Sequence, residues 1–209
     1  QYNELKNIFD PGIKEIIITV SEVRILNLDF SSDSVPDSFL NKKDISIDEN
    51  VSFSYPVFVP ADTSSRKVIL LLHGLNERSW VKYLAWAYSL AQNTGNYVIL
   101  FPISFHINRS PESWKDPRAM FSYLSERRTN CGDVSMSSIA NIALSNRLTE
   151  DPMRFFNSGY QTSEDIVKLM SMIRDGRHEL IPGGSKVNIF AYSIGAFLAQ
   201  IILMGNPEN

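Results

Sequence analysis

Strands alternating with helices from residue 66 onward predict an α/β fold with a mainly parallel sheet flanked by helices. Two short, unbroken apolar runs carry most of that expectation. Val68-Ile69-Leu70-Leu71-Leu72 and Tyr97-Val98-Ile99-Leu100-Phe101 suit strands buried on both faces, as parallel strands are. The third observation is that helical periodicity follows or separates such runs at the spacing of right-handed crossovers.

Taken in order, the first sixty residues read as β-rich. Ile16 to Val20 and Val23 to Leu28 are β-branched and aliphatic, and Ile45 to Val59 alternates around Phe53, Tyr55 and Phe58. Ser31 to Asp37 is a polar loop, and Pro56 and Pro60 demote the last segment to an edge strand or its exit. After the run at Val68, the residues Trp80, Tyr83, Leu84, Ala87, Leu90 and Ala91 recur at helical spacing and predict a helix over Ser79 to Asn93, stopped by Gly95. A further helix is predicted over Thr162 to Asp175, with Thr162 and Asp165 as a capping-box-like start and Gly176 as the stop. Pro182-Gly183-Gly184 then turns the chain into a third strand, Lys186 to Ala191. Ile194 to Met204 is apolar nearly all round, which predicts a buried helix.

Between the second and third of these strands the chain is too long for a simple crossover, which needs about 30 residues. Residues 104–160 therefore read as an insertion emerging at the strand ends and forming a cap. It holds Trp114, helical candidates near Pro117–Arg127 and Asp133–Arg147, and a turn at Pro152-Met153-Arg154-Phe155-Phe156. The organisation expected is one domain over 1–209, with a β-rich part at 1–60 and the cap at 104–160.

Composition narrows the function classes. Twenty basic against 23 acidic side chains leave a net charge of −3, so no basic field recommends a nucleic-acid partner. No apolar run approaches the ~20 residues that span a bilayer. The start, Gln1-Tyr2-Asn3-Glu4, has the marks of no signal peptide. The single cysteine, Cys131, can form neither an internal disulfide nor a multi-cysteine zinc site, and it favours a cytoplasmic compartment without excluding an exported protein. No phosphate loop, carboxylate pair or metal motif stands out, so neither a metal nor another cofactor is expected.

The sharpest local signal is Phe190-Ala191-Tyr192-Ser193-Ile194-Gly195-Ala196-Phe197. A strand delivers Ser193 into a tight turn and a helix begins at once. Ala191 and Gly195 are the small flanking residues that such a strained turn needs, because neighbouring backbones come into contact. The serine would stand at a helix N-terminus, where the dipole and unpaired amides favour developing negative charge. Taken alone, the short pattern also arises by chance. It is joined by His73-Gly74-Leu75-Asn76 at the end of the first apolar run, 120 residues upstream.

At these two motifs, over about Val51 to Met204, the sequence resembles the α/β-hydrolase superfamily, with Ala191 in place of the usual first glycine of G-x-S-x-G. The resemblance implies a nucleophile at Ser193 and an oxyanion hole built from the amides of Leu75 and Ile194. It implies structural roles for His73, Gly74, Ala191 and Gly195, and a pocket near Asn76, Tyr192 and His106. The implied substrate is a carboxylic ester or related small-molecule acyl compound.

A serine needs an adjacent base oriented by an acid, and the superfamily places both after the nucleophile in chain order. The residues after Ser193 contain Glu208 as their sole acid and no histidine. The acid, the base and the remaining strands are accordingly expected beyond residue 209, and residues 1–209 alone are expected to hydrolyse negligibly. A sheet edge left open beside the Ser193 strand would suit an oligomer contact. Of the three histidines, His73 is expected to hold the oxyanion loop and His178 to lie on the surface at the opposite sheet edge. His106 follows the second strand on the serine's edge, where it either serves the pocket or its lid or is merely a solvated loop histidine. Arg127-Arg128 and Cys131 read as solvated or incidental, and Trp80, Tyr83 and Trp86 as packing. Two alternatives remain: a non-catalytic module that binds a ligand or a protein, and a rebuilt site in which His106 serves as base.

Overall fold

The computed structural model describes residues 2–18, 21–33, 44, 46–114, 116, 118, 121–132 and 138–206. Helix α1 (Tyr2–Ile8) precedes strands β1 (Glu15–Ile18) and β2 (Val23–Ser31), and the short helix α2 (Asp48–Val51) leads into β3 (Ser52–Val59). Strand β4 (Lys67–Leu72), helix α3 (Val81–Thr94) and strand β5 (Tyr97–Phe101) follow. Two single-turn 3-10 segments (Ile107–Arg109 and Glu112–Trp114) and helices α4 (Phe121–Cys131) and α5 (Ile139–Glu150) separate β5 from the long helix α6 (Arg154–Arg174). Strand β6 (Lys186–Ala191) and helix α7 (Ile194–Gly205) complete the described chain.

The six strands lie in the order β1-β2-β3-β5-β4-β6. The joins β1/β2, β2/β3 and β3/β5 are antiparallel, whereas β4 is parallel to both β5 and β6. The sheet is thus mixed rather than mainly parallel. The parallel half is where helical crossovers return the chain to the same end. The β-rich start adds strands connected without such a crossover, and these run antiparallel.

The apolar strands bury both faces because side chains alternate across a pleated sheet. Val68, Leu70, Leu72, Ile99 and Phe101 face Ile166, Leu169 and Ile173 of α6 and Leu198 and Ile202 of α7. Ile69, Leu71, Val98 and Leu100 face Leu5 of α1 and Trp80, Tyr83, Leu84 and Ala87 of α3. Helices on both faces of a sheet make three layers, and β4, at the centre of the parallel half, runs out at His73 just beyond Leu72.

Several local expectations change. Strand β3 is internal and not an edge, and Pro56 is accommodated because the β3/β5 ladder is confined to Val57 and Phe58. Its regular strand starts only at Ser52, after α2. Helix α6 begins at Arg154 instead of Thr162, so the Pro152–Phe156 turn becomes its first turn. Thr162 and Asp165 do not cap it: Thr162 Oγ1 donates to Ser158 O at 2.7 Å inside the helix, and Asp165 is buried in an ion pair. Helix α7 is not buried all round, since Phe197, Ile201, Leu203 and Met204 are exposed while Leu198 and Ile202 pack on the sheet. The helices within residues 104–160 begin at Phe121 and Ile139, and residues 34–37 of the polar loop and 133–137 of the second helical candidate lie outside the described residues. Among the described residues no helix is long and apolar enough to cross a membrane, and no cluster of three His, Cys, Asp or Glu side chains could hold a metal ion.

Candidate active site

Ser193 occupies the turn between β6 and α7 with φ 56° and ψ −120°, a backbone region that side-chain-bearing residues rarely enter. The turn is enforced by packing. A Cβ on Gly195 would lie 2.7 Å from the His73 carbonyl oxygen and 2.9 Å from Leu72 Cβ, so only glycine fits where α7 crosses the end of β4. The Tyr192 amide donates to Leu72 O (3.0 Å), and the Gly195 amide closes the turn on Tyr192 O (3.0 Å). Ser193 is exposed, and among the described residues no side chain hydrogen-bonds its hydroxyl.

The loop after β4 lies against this turn. His73 is fully buried, and its two ring nitrogens are both in use. The Ile103 amide donates to Nε2 (2.9 Å), so Nδ1 carries the proton and donates to Gly74 O (2.8 Å). Burial, with His106 nearby, holds its pKa down at about 3, and the ring stays neutral. The Gly74 amide donates to Tyr83 Oη (2.8 Å), which in turn donates to Glu77 Oε1 (2.8 Å), and Lys82 Nζ meets the same oxygen at 2.9 Å. Burial and Glu77 raise the Tyr83 phenol to about 12. A Cβ on Gly74 would meet the Tyr192 ring at 3.1 Å, so the two loops touch at this glycine.

The Gly74 amide is bound to Tyr83, whereas the amides of Leu75 and Ile194, like that of Ser193 itself, have no partner among the described residues. That state is expected of Ile194, the first residue of a helix. Ala191 ends β6 opposite Leu72. Tyr192 turns away from the cavity described next, packing on Trp86 (5.8 Å between centroids) beneath Lys82 Nζ (4.2 Å).

A cavity of about 450 Å³ opens beside the turn. Leu75, Asn76 and Ile194 line it at one end, and Ser193 is one residue outside the lining. His106 lines it too, with Nδ1 donating to Ser104 O (2.9 Å), so that Nε2 is its basic nitrogen. The structure therefore groups Leu75, Asn76, His106 and Ile194 around one space and leaves Tyr192 apart. His178, expected on the surface, is instead 6% exposed: Nδ1 accepts from the Leu180 and Ile181 amides, and Nε2 pairs with Tyr55 Oη at 3.1 Å. Burial lowers its pKa to about 4. The loop between α6 and β6 is thus anchored inside the core on Tyr55 of β3. Cys131 is exposed, as an incidental thiol would be.

Sequence reasoning missed the polar centre that supports the loop after β5. Arg109 is fully buried, pairs with Asp165 at 2.8 Å, donates to the carbonyls of Pro102 and Asn50, and stacks on Phe53 at 4.0 Å. Burial lowers Arg109 to about 10 and raises Asp165, even with the opposite charge adjoining. Ser32, Asn50, Ser104 and Gln161 link into the same network at 2.6 to 3.0 Å. Its one sequence signal was the polar face of α6, misread as a helix start.

An α/β protein with a strained serine at a strand–helix turn, beside two open amides and an apolar cavity, is the class these features define. The chain belongs to a family of unknown function, DUF6051, whose model matches residues 20–209. No curated protein matches it. Among solved structures, it is similar to a protein of Bacteroides fragilis NCTC 9343 described as "a putative acetyl xylan esterase", at 12% identity and a TM-score of 0.47. That alignment covers 97% of this chain and 47% of the other, so this chain spans about half that protein's length.

Proposed function

We propose that the chain carries the nucleophile half of an α/β-hydrolase-like serine hydrolase acting on a carboxylic ester or related acyl compound. The observation that carries this is the Ser193 backbone at φ 56° and ψ −120°, held by a glycine contact that admits no Cβ. Strain of this kind costs about 1–3 kcal/mol and is retained where it positions a reacting group. In this reading Ser193 Oγ attacks the acyl carbon, and the Leu75 and Ile194 amides hold the oxyanion. The ester's C–O bond breaks, and the alcohol leaves with the proton that the base took from Ser193. Water hydrolyses the acyl-enzyme to the free acid, and residues 104–160 cap the pocket. Neutral, doubly bonded His73 holds the oxyanion loop and cannot serve as base. Among the described residues no base is hydrogen-bonded to Ser193, so the reading places it elsewhere in the protein. The outer side of β6, where Phe190 is exposed, is the place for a further strand or a second copy.

The test is labelling with a serine-directed fluorophosphonate, using the longest natural protein that contains this chain. Stoichiometric labelling that disappears in Ser193→Ala supports the reading, and labelling that persists in that variant removes the nucleophile assignment. A second reading, a non-catalytic ligand-binding module, is favoured by the lack of a base hydrogen-bonded to Ser193 among the described residues. It expects ligand binding without turnover in wild type and Ser193→Ala alike. A third uses His106 as base; His106→Gln would then abolish turnover and leave phosphonate-independent ligand binding unchanged.

A further inference from the structure

Helix α6 contains a glycine that its own packing does not require. Gly159 sits in the interior of a 21-residue helix, where glycine is less favourable than alanine because it gives up more backbone freedom. Its φ is not in the left-handed region, and a Cβ built there would meet nothing within 4 Å. The two usual reasons for a helical glycine, an unusual backbone and a close neighbour, are therefore both absent. Gly159 instead lines the cavity that begins at Leu75 and Ile194. Any side chain at this position would project into that space.

The walls of the space define what could occupy it. Phe105, Trp114, Leu144, Leu148, Phe156 and Phe197 are among its aromatic and aliphatic lining residues. Arg154 is the one permanently charged side chain among the described lining residues, beside the titratable His106, and its charge is already committed. It grips Asp44 through two bonds (2.7 and 2.8 Å), reaches Glu150 at 3.5 Å, and lies 5.1 Å from the Trp114 ring centroid. Ser158, also on the wall, donates to Ser104 O. At about 450 Å³ the cavity falls within the roughly 300–1,000 Å³ of small-molecule sites, far more room than a two-carbon acyl group fills.

We infer that this cavity binds the long apolar chain of a neutral ester, with Gly159 keeping the chain's path open and the ester carbonyl at the Leu75 and Ile194 end. The chain specificity rests on the hydrolase reading for the carbonyl's position, but the ligand class does not. A charged head group finds no uncommitted permanent counter-charge among the described lining residues, whereas an alkyl chain of either the acyl or the alcohol part matches the aromatic and aliphatic walls. Removing such a chain from water into an apolar site is favourable for each methylene buried.

The test separates the two claims. Binding of dodecan-2-one, a neutral ketone that cannot be hydrolysed, is measured by calorimetry against acetone, dodecanoate and dodecylammonium. The expected result is binding of dodecan-2-one to wild type, with at least tenfold weaker binding of the other three. Gly159→Leu is expected to lose tenfold or more, Gly159→Ala to lose less, and neither to lower the thermal midpoint, since both favour helix. Binding unchanged in Gly159→Leu, or preference for either charged probe, overturns the inference. A folding failure of Gly159→Leu shifts the decision to Gly159→Ala and to Leu148→Trp, which fills the cavity from the opposite helix.

Phosphonate labelling then distinguishes the failures. Dodecan-2-one binding without any labelling removes the hydrolase reading and leaves the ligand class standing. Labelling by ethyl and dodecyl fluorophosphonates at equal rates removes the chain inference and leaves the nucleophile. In a catalytically complete protein, nitrophenyl decanoate and decyl acetate would tell which side of the ester carries the chain, and a preference for nitrophenyl acetate over both overturns the proposal.

Discussion

Two polar centres of this molecule are built on opposite principles. The Ser193 turn is exposed, backbone-strained and sparsely bonded, and steric contact between Gly195 and the end of β4 fixes its shape. The Arg109–Asp165 centre is buried, densely bonded and made of Ser32, just after β2, with side chains from α2, the loop after β5 and α6. The first leaves its hydroxyl and neighbouring amides available. The second commits most of its groups and so fixes where the loop after β5, with His106, meets the cavity. A site that must react keeps open groups and is shaped from behind by packing. A site that must only hold uses hydrogen bonds and charge to consume its groups.

The largest expected effect lies in the holding centre. Asp165→Ala strands a buried guanidinium, and removing one member of a buried pair costs about 3–5 kcal/mol. Denaturant unfolding should show that loss, and the double variant Arg109→Met with Asp165→Leu should recover part of it. A double variant as unstable as the single one would mean that the pair is needed for more than mutual charge balance.

Gly195→Ala comes next. Its Cβ would overlap the His73 carbonyl and Leu72, and overpacking of this kind costs about 1–3 kcal/mol. The same change should shift the Ser193 turn and slow phosphonate labelling. Full stability with unaltered labelling would show that the close approach is not what shapes the turn.

Acid sensitivity distinguishes the two centres in a third way. His73 and His178 are held neutral, with folded values of about 3 and about 4 against an ordinary 6.5. The unfolded chain takes up protons first, so their contribution is complete above pH 6.5 and is lost as pH falls towards 4. Each histidine contributes about 1.4 kcal/mol per pH unit in that window. Asp165, whose carboxyl is raised, opposes this at the lower end of the window because it holds a proton longer in the folded state. Unfolding free energy measured from pH 7 to pH 4 should fall, and His178→Gln should flatten the slope. An unchanged slope in that variant would show that His178 does not stay neutral.

The smallest effect belongs to the Ser193 turn itself. Ser193→Gly relieves the strained φ but loosens the unfolded chain, for a net gain of about 1 kcal/mol. A loss of stability on that change would mean that the turn is not strained.

The strands of the parallel half were legible because Val68–Leu72 and Tyr97–Phe101 are apolar at every position, which marks burial on both faces without reference to partners. The Ser193 turn was legible because its small neighbours follow from local backbone crowding. The start of α6 was not legible. Its first two turns, Arg154 to Gln161, mix polar residues on one face with exposed aromatics on the other, so no single amphipathic stripe marks them. Nor could Thr162 and Asp165 be separated from a helix cap until Ser104 and Arg109 were seen against them.

What the sequence by itself determined is local: apolar runs, stop glycines at Gly95 and Gly176, and the small residues around Ser193. Each follows from the reach of one residue to its near neighbours in the chain. The tertiary structure alone decided which polar groups are spent and which remain open. Gly74's amide is bound by Tyr83 while Leu75's is not, His178 is buried, Arg109 is paired across 56 residues, and Gly159 faces an empty cavity. Hydrogen bonds, ion pairs and cavities join residues distant in the chain, so no local pattern encodes them.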